Sequence, residues 1–224
     1  MARVIAIDGP SGSGKSSTAK RVGQALGFLH VDSGALYRIM TWQCLARGVE
    51  TSDPAAVAAC AETVEIECRP ENGALAFYVN GEAPGARIRT PEINAHASPV
   101  ATVKAVRDRI TALLRGMTRH GDLVVEGRDI TTVVFPDSPA RFYLTASAEA
   151  RARRRQLEEV VTGVANQSAE AVKASLLARD AIDSTRAYAP LRKADGALEI
   201  DSTQLSLDEV VETVLNALPA DWRT

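Results

Sequence analysis

Gly9-Pro10-Ser11-Gly12-Ser13-Gly14-Lys15-Ser16 reads GPSGSGKS and follows the apolar run Val4-Ile5-Ala6-Ile7. It fits G-x-x-x-x-G-K-[ST] at every fixed position, between a strand and a helix as that pattern requires. Backbone N–H groups turn inward around phosphate oxygens only where no side chain intervenes, so glycine is wanted at 9, 12 and 14. The following helix aims its positive end at the anion. Lys15 supplies a mobile charge for the β- and γ-phosphates, and Ser16 offers a hydroxyl to Mg²⁺. The loop implies a bound nucleoside triphosphate and says nothing about the reaction.

Outward from the loop, strands and helices alternate. Arg3 to Asp8 reads as a buried strand, and Lys15 to Leu26 as a helix stopped by Gly27. Phe28 to Val31 is a second strand. Ser33 is positioned to cap a helix over about Ala35 to Arg47. Asp53-Pro54 reads as an N-cap with proline at the first helical position, opening Ala55 to Glu62. The texture then changes to period two in Val64 to Cys68 and Leu75 to Val79, with Asn80-Gly81 as a turn signal. Residues 63–90 are expected to form a small β-rich insert.

Helices return over 91–119, broken near Pro99. Leu123-Val124-Val125 and Arg141 to Leu144 read as buried strands. Ala148 to Val160 and Ala169 to Ile182 read as helices. Ala197 to Ile200 is a last strand and Leu207 to Leu218 a closing helix. The order predicts an α/β fold: one parallel five-stranded sheet with helices on both faces.

The chain has 224 residues, 46% apolar and 24% charged, with a net charge of −2. That balance suits one globular domain and supplies no global basic field for nucleic acid. Cys44, Cys60 and Cys68 are an odd count without C-x-x-C spacing, which makes neither a disulfide framework nor a zinc site. Reduced thiols point to a cytoplasmic protein. No apolar run approaches a membrane span, and no signal peptide is expected.

A phosphate loop serves switches, motors and phosphotransferases. No N-K-x-D guanine-reading motif is present, which weighs against a GTPase switch. A small-molecule kinase needs arginines, scattered in sequence, to converge on two polyanions, because their mutual repulsion must be offset. Arg38, Arg128, Arg179 and Arg186 suit that need, and Arg151, Arg153, Arg154 and Arg155 crowd one helical turn. Arg128 lies at the C-terminal end of a strand, where ligands bind in such sheets.

IAIDGPSGSGKSS, VDSGALYR, EGRDITTVVFPDSPARFYL and DSTRAYAPL together resemble the bacterial cytidylate kinases, in order over about residues 3–215. The phosphate loop is shared by many families, whereas VDSGALYR and GRDxxTVVFPD are far more restrictive. The resemblance implies a P-loop kinase fold and the reaction ATP + (d)CMP ⇌ ADP + (d)CDP with Mg²⁺. It implies one kinase domain. The core would be about 1–34, 120–146 and 187–218, the monophosphate-binding region 35–119 with its insert, and a mobile lid about 147–186. A monomer acting only on small molecules is expected. A kinase for another monophosphate is the near alternative, and a nucleotide switch without acceptor the distant one.

Residue by residue, the resemblance assigns Gly9, Pro10, Ser11, Gly12, Ser13, Gly14, Lys15, Ser16 and Ser17 to ATP, with Ser16 also to the metal. Arg38, Arg128 and Arg186 would grip the CMP phosphate, since guanidinium forks match phosphate oxygens. Ser33 lies in the same region. Arg179 and Asp183 would meet the ribose hydroxyls. Asp129 would accept from the cytosine N4 amino group while Arg107 and Ser98 donate to N3 and O2. Ser98 has a competing reading as a turn residue before Pro99, and Arg107 as the partner of a nearby acid on an exposed helix. Asp32 either orients Ser33 and Arg38 or caps a turn. Lys15, Arg128, Arg151, Arg154 and Arg155 are the expected catalytic cations, the last three closing over the γ-phosphate. The family pattern leads one to expect aspartate at 126, where this chain has Glu126.

Overall fold

The computed structural model describes residues 2–162 and 168–223. Its elements run β1 (Val4–Asp8), α1 (Lys15–Leu26), β2 (Leu29–Asp32), α2 (Ser33–Ala46), α3 (Pro54–Glu62), β3 (Ile66–Glu71) and β4 (Ala74–Val79). They continue with α4 (Pro91–Thr102), α5 (Lys104–Gly116), β5 (Leu123–Gly127), β6 (Ala140–Thr145), α6 (Ala148–Thr162), α7 (Ala169–Thr185), β7 (Leu198–Asp201) and α8 (Leu207–Asn216). Part of the expected lid, residues 163–167, lies outside the described residues.

The sheet order is β3-β4-β2-β5-β1-β6-β7. The five strands β2, β5, β1, β6 and β7 are mutually parallel, as expected. The insert corrects the strand count to seven. Its β3–β4 hairpin does not stand apart but joins the edge of the same sheet, held there by the single pair His30 with Ala74. The hairpin turns on Asn72-Gly73, with φ of 48° and 76°, a turn the sequence reading passed over. Asn80-Gly81 makes a second tight turn, in which Val79 and Glu82 pair.

Buried apolar strands cause this architecture. β1 and β5 are buried at every residue, so their two faces feed two cores. One core joins Val31, Leu36, Ile39, Ile110, Leu123 and Val125 beneath α2, α4 and α5. The other joins Ile5, Ile7, Val22, Phe142, Leu144 and Val214 beneath α1 and α8. α2 starts two residues earlier than expected, and its cap is Asp32, whose side chain accepts from the Ala35 N–H; Ser33 is inside the helix. α4 passes through Pro99 and breaks at Val103, which is extended. Ala97, Val100 and Ala101 are buried around that proline and hold the turn. After β5, Ile130–Val134 forms a single π-helical turn that no sequence signal announced.

Candidate functional site

A cleft of about 1110 Å³ opens at the C-terminal ends of β1, β2 and β5. Its walls are the loop after β1, α2, the insert, α4, the segment after β5, and the helices α6 and α7. Crevices at the carboxyl ends of parallel strands are where such sheets bind ligands.

The loop Gly9–Gly14 is forced by its neighbours. Gly9 has φ +149°, and a Cβ there would stand 1.9 Å from the Leu144 carbonyl oxygen. Gly12 has φ +76°, and a Cβ would meet the Arg151 backbone at 3.0 Å. Pro10 turns the loop so that its carbonyl accepts from Lys15 Nζ at 2.7 Å. Lys15 is buried, and Ser16 and Ser17 are exposed at the start of α1. Burial, with Arg128 nearby, pushes the Lys15 amine down from 10.5 to about 7. Ser11, Gly12, Gly14, Lys15, Ser16 and Ser17 line the cleft, whereas Ser13 is buried behind them.

Across the cleft, side chains from several elements converge. Arg107, on α5, pairs with Asp129 at 2.6 Å, and these side chains are 4% and 5% exposed. The alternative reading of Arg107 on an exposed helix face is thereby replaced: its acid is Asp129, across the fold. The guanidinium also donates to the Ala101 carbonyl and lies 5.2 Å from the centre of the Tyr37 ring. Burial disfavours the charged Arg107, but Asp129, Tyr37 and Asp183 together outweigh it and raise its pKa. Ser98 is buried within α4 and lines the same wall, which answers the turn alternative.

Arg186 lies beside this pair, 3.8 Å from Asp129 and 3.5 Å from Asp183, and donates twice to the Ala189 carbonyl. Arg128 donates to Asp183 at 3.0 Å. Of the three arginines expected at the CMP phosphate, Arg186 lies against Asp129 and Asp183, Arg128 against Asp183, and all three, Arg38 included, line the one cleft. Arg38 donates to Asp32 at 2.7 Å, and Arg89, from the end of the insert, reaches the same carboxylate at 3.3 Å. Burial opposes ionisation of Asp32, yet Arg38, Arg89 and His30 hold its carboxyl below the ordinary value. So Asp32 both caps α2 and orients Arg38. Arg179 lines the cleft with its Nε unpartnered, and burial drops its pKa to about 10. Ser33 is buried at the cleft wall.

The arginines of α6 have different partners, which their spacing did not reveal. Arg151 is buried, and donates to the Ala146 and Ser11 carbonyls and to Asp180. Asp180 in turn accepts from the Ser11 N–H at 3.3 Å. Arg154 donates to the hydroxyl and carbonyl of Ser202, whose hydroxyl donates toward the Ser13 carbonyl. Arg151 directly, and Arg154 through Ser202, thus hold the main chain of the loop, and neither lines the cleft. Arg155 is the member of the cluster that lines the cleft.

Several residues at the site have partners that their motifs did not indicate. Asp8 is fully buried and accepts from the N–H groups of Ile130 and Thr131 and from the Thr131 hydroxyl at 2.6–2.9 Å. Burial raises its pKa to about 6. Glu126, at the floor of the cleft, stands 3.4 Å from His30. Asp180 stands between Arg179 and Asp183 in ARDAIDSTRAYAPL, but its partner Arg151, like those of Ser202 and Arg89, lies far away in sequence and has no local signal.

A family model described as cytidylate kinase matches residues 5–220. A cytidylate kinase of Shouchella clausii is 42% identical over 212 residues, covering 95% of this chain and 94% of its own. One of Streptomyces avermitilis is 44% identical over 214 residues, covering 95% and 90%. Among solved structures, an uncharacterised protein from Eubacterium ventriosum matches at a TM-score of 0.52 with 10% identity, covering 96% of each chain. A gluconokinase from Sinorhizobium meliloti matches at 0.50 with 15% identity, covering 96% of this chain and 91% of its own. These two likenesses concern the fold.

Proposed function

The chain belongs to the cytidylate kinase family, and on that premise we propose how its cleft moves a phosphoryl group from ATP to CMP. The chain is an ATP-dependent phosphotransferase that acts on CMP. The observation that carries the site assignment is the buried Arg107–Asp129 pair facing the same cleft as the Gly9–Ser17 loop. An acceptor carboxylate beside a donor guanidinium complements cytosine, which presents an amino donor next to acceptors. Uracil would set a carbonyl against Asp129 and leave it opposed, at a cost of about 1–3 kcal/mol.

Gly9 to Ser17 cradle the triphosphate, with Lys15 released from the Pro10 carbonyl to the β- and γ-oxygens. Ser98 joins the base contacts. Arg38 and Arg128 hold the CMP phosphate, while Asp32 and Asp183 keep their guanidiniums aimed. Arg186 acts from the base side by holding Asp129. Asp183 and Arg179 meet the ribose of CMP or dCMP. Arg155 is our choice for the lid cation that meets the transferred phosphate. The acceptor is already a phosphate oxygen, so positioning and charge stabilisation carry the rate. Lid closure excludes water and suppresses ATP hydrolysis.

The donor set fits Mg²⁺ arriving with ATP. Among the described residues no group of three or more His, Cys, Asp or Glu could hold a metal. Mg²⁺ bound mainly by substrate phosphates and water needs only one or two protein oxygens. The exposed Ser16 hydroxyl at the start of α1 and the buried Glu126 carboxylate, one oxygen of which lacks a hydrogen-bond partner, are those we assign. When bound, the ion neutralises charge building on the β- and γ-phosphates. Three free thiols support a cytosolic setting, and no helix among the described residues is long and apolar enough to cross a membrane. We take the working unit to be a monomer, divided into core, monophosphate-binding region and lid.

The test is ADP release from Mg-ATP with CMP, dCMP, UMP, AMP and shikimate as acceptors. CMP and dCMP should exceed the rest. No ADP beyond the water blank with CMP would end the kinase reading, and UMP equal to CMP would end the role given to Asp129.

A further inference from the structure

The π-helical turn Ile130–Val134 follows directly on Arg128 and Asp129. Both of its ends are held by charged side chains that lie outside the cleft lining. At the N-terminal end the Asp8 carboxylate accepts from Ile130 N–H at 2.9 Å and from Thr131 N–H at 2.7 Å. At the C-terminal end Arg115, exposed on the last turn of α5, donates to the carbonyls of Val134 at 2.9 Å and Val133 at 2.7 Å. Those are the groups a short helical turn leaves orphaned, and the charges have the signs its dipole favours.

The turn also fixes Asp129 from behind. The Asp129 carbonyl accepts from the N–H groups of Val133 and Val134 at 2.9 and 3.1 Å. A Cβ at Gly127 would lie 2.5 Å from Ser33 Oγ and 2.7 Å from Ile130, so the segment is wedged against the cleft wall with no room to slide.

Asp8 immediately precedes the phosphate loop, and Arg115 belongs to the helix that carries Arg107. The turn is thus pinned to the strand beneath the donor loop and to the helix behind the base pocket. We infer that Asp8 and Arg115 are positioning residues that clamp this turn and thereby set Arg128 and Asp129 against CMP. The inference deepens the function proposed above and rests on it. Packing alone would keep the turn in place, since Ile130 and Val134 are buried. What the clamp adds is angular precision in the two residues that precede it, and a misplacement of the order of 1 Å costs about 100-fold in reactions of this kind.

The experiment compares Asp8→Asn, Arg115→Gln and Arg115→Lys with Asp129→Ala. It reads kcat and KM for CMP, UMP and ATP, thermal unfolding, and amide exchange at Ile130 and Thr131. Asp8→Asn keeps one acceptor oxygen and loses the other, so it should cut the CMP-over-UMP ratio of kcat/KM by about tenfold and deprotect at least one of the two amides. Arg115→Gln should cut the ratio about threefold and raise KM for CMP while KM for ATP stays the same; Arg115→Lys should recover part of the loss. If Asp8→Asn does not fold, Arg115→Gln, on the surface, decides alone. Variants that lose thermal stability but keep both the CMP/UMP ratio and KM for CMP would overturn the clamp. If Asp129→Ala keeps the ratio, the base-reading role falls instead, and the clamp then stands or falls on KM for CMP, through Arg128.

Discussion

On the donor side of the cleft the anion cradle is main chain, one continuous loop from Gly9 to Gly14 whose shape follows from what a Cβ would strike. On the side we propose for the acceptor it is side chains that line the cleft: Arg38 from α2, Ser98 from α4, Arg107 from α5, Arg128 and Asp129 after β5, and Asp183 and Arg186 at the end of α7. The donor half tolerates no added bulk, and the acceptor half tolerates no lost charge. A motif can specify the first because its information is local. The second exists only once the sheet order has placed β5 between β1 and β2.

The sharpest break of that contrast is Arg128→Ala. It removes a charge and leaves the backbone as it was, so kcat/KM should fall by about 10²–10³ with the unfolding temperature little changed. Gly12→Ala is its counterpart: a methyl group is added at φ +76° against the Arg151 backbone. The left-handed backbone alone should cost on the order of 1–2 kcal/mol of stability and loosen ATP. Near-normal turnover in Arg128→Ala would remove that residue from the site. A Gly12→Ala protein of normal stability would show that the loop is not shape-limited.

The lid tests the boundary between the halves. Arg155→Ala should lower kcat by about 10–100-fold. Arg154→Ala should cost about 1 kcal/mol of stability by stripping Ser202 of its donor, with a smaller loss of rate. The reverse ranking in kcat would return Arg154 to the transferred phosphate. Unfolding curves and single-turnover rates on the two variants decide it.

The parallel sheet was legible because β1, β5 and β6 are short apolar runs with turn signals around them, and the loop fixed which of them comes first. The insert's alternation was legible too, but not its attachment. One residue pair, His30 with Ala74, carries it to the sheet edge, and period two says nothing about a strand's neighbour. Long motifs brought together residues that line one cleft, yet their pairings were not legible. Arg151, Arg154 and Arg155 stand within one and a half helical turns, and only the partners Asp180 and Ser202, 29 and 48 positions away, separate bracing from cleft-lining. Asp8 stands inside the stretch IAIDGPSGSGKSS, but the phosphate-loop pattern gives no role to a carboxylate that ends a buried strand. Its partners lie 122 and 123 residues on.

Lys15 offers a gentler test of the donor half. In the free protein, burial and Arg128 lower its pKa to about 7. The incoming triphosphate favours the charged amine and raises the pKa again. ATP binding above pH 7 should therefore take up a proton, and ATP affinity should weaken as pH rises from 7 toward 8, by up to about tenfold. The linkage to folding has the opposite sign. The unfolded state holds the proton up to about 10.5, so this group's contribution to stability grows as pH rises from about 7 toward that value. Calorimetry at pH 8 in two buffers of different ionisation heat should report close to one proton bound per ATP. None would mean Lys15 is already charged in the empty loop.

The smallest expected effect lies on the acceptor side, where two arginines share one carboxylate. Arg38 and Arg89 both reach Asp32, but Arg38's side chain is 12% exposed and Arg89's is 65% exposed. A solvated pair is worth about 0–1 kcal/mol, so Arg89→Ala should raise KM for CMP no more than a few-fold. Arg38→Ala removes the cation we propose for the CMP phosphate and should cost clearly more. Arg89 also sits where the insert meets the core, and its effect should vanish at high salt, since an exposed pair is screened there. If Arg89→Ala instead matched Arg38→Ala and kept its effect at high salt, the arginine would have to leave Asp32 for the substrate when CMP binds. The acceptor half would then gain a sixth element, supplied by the insert.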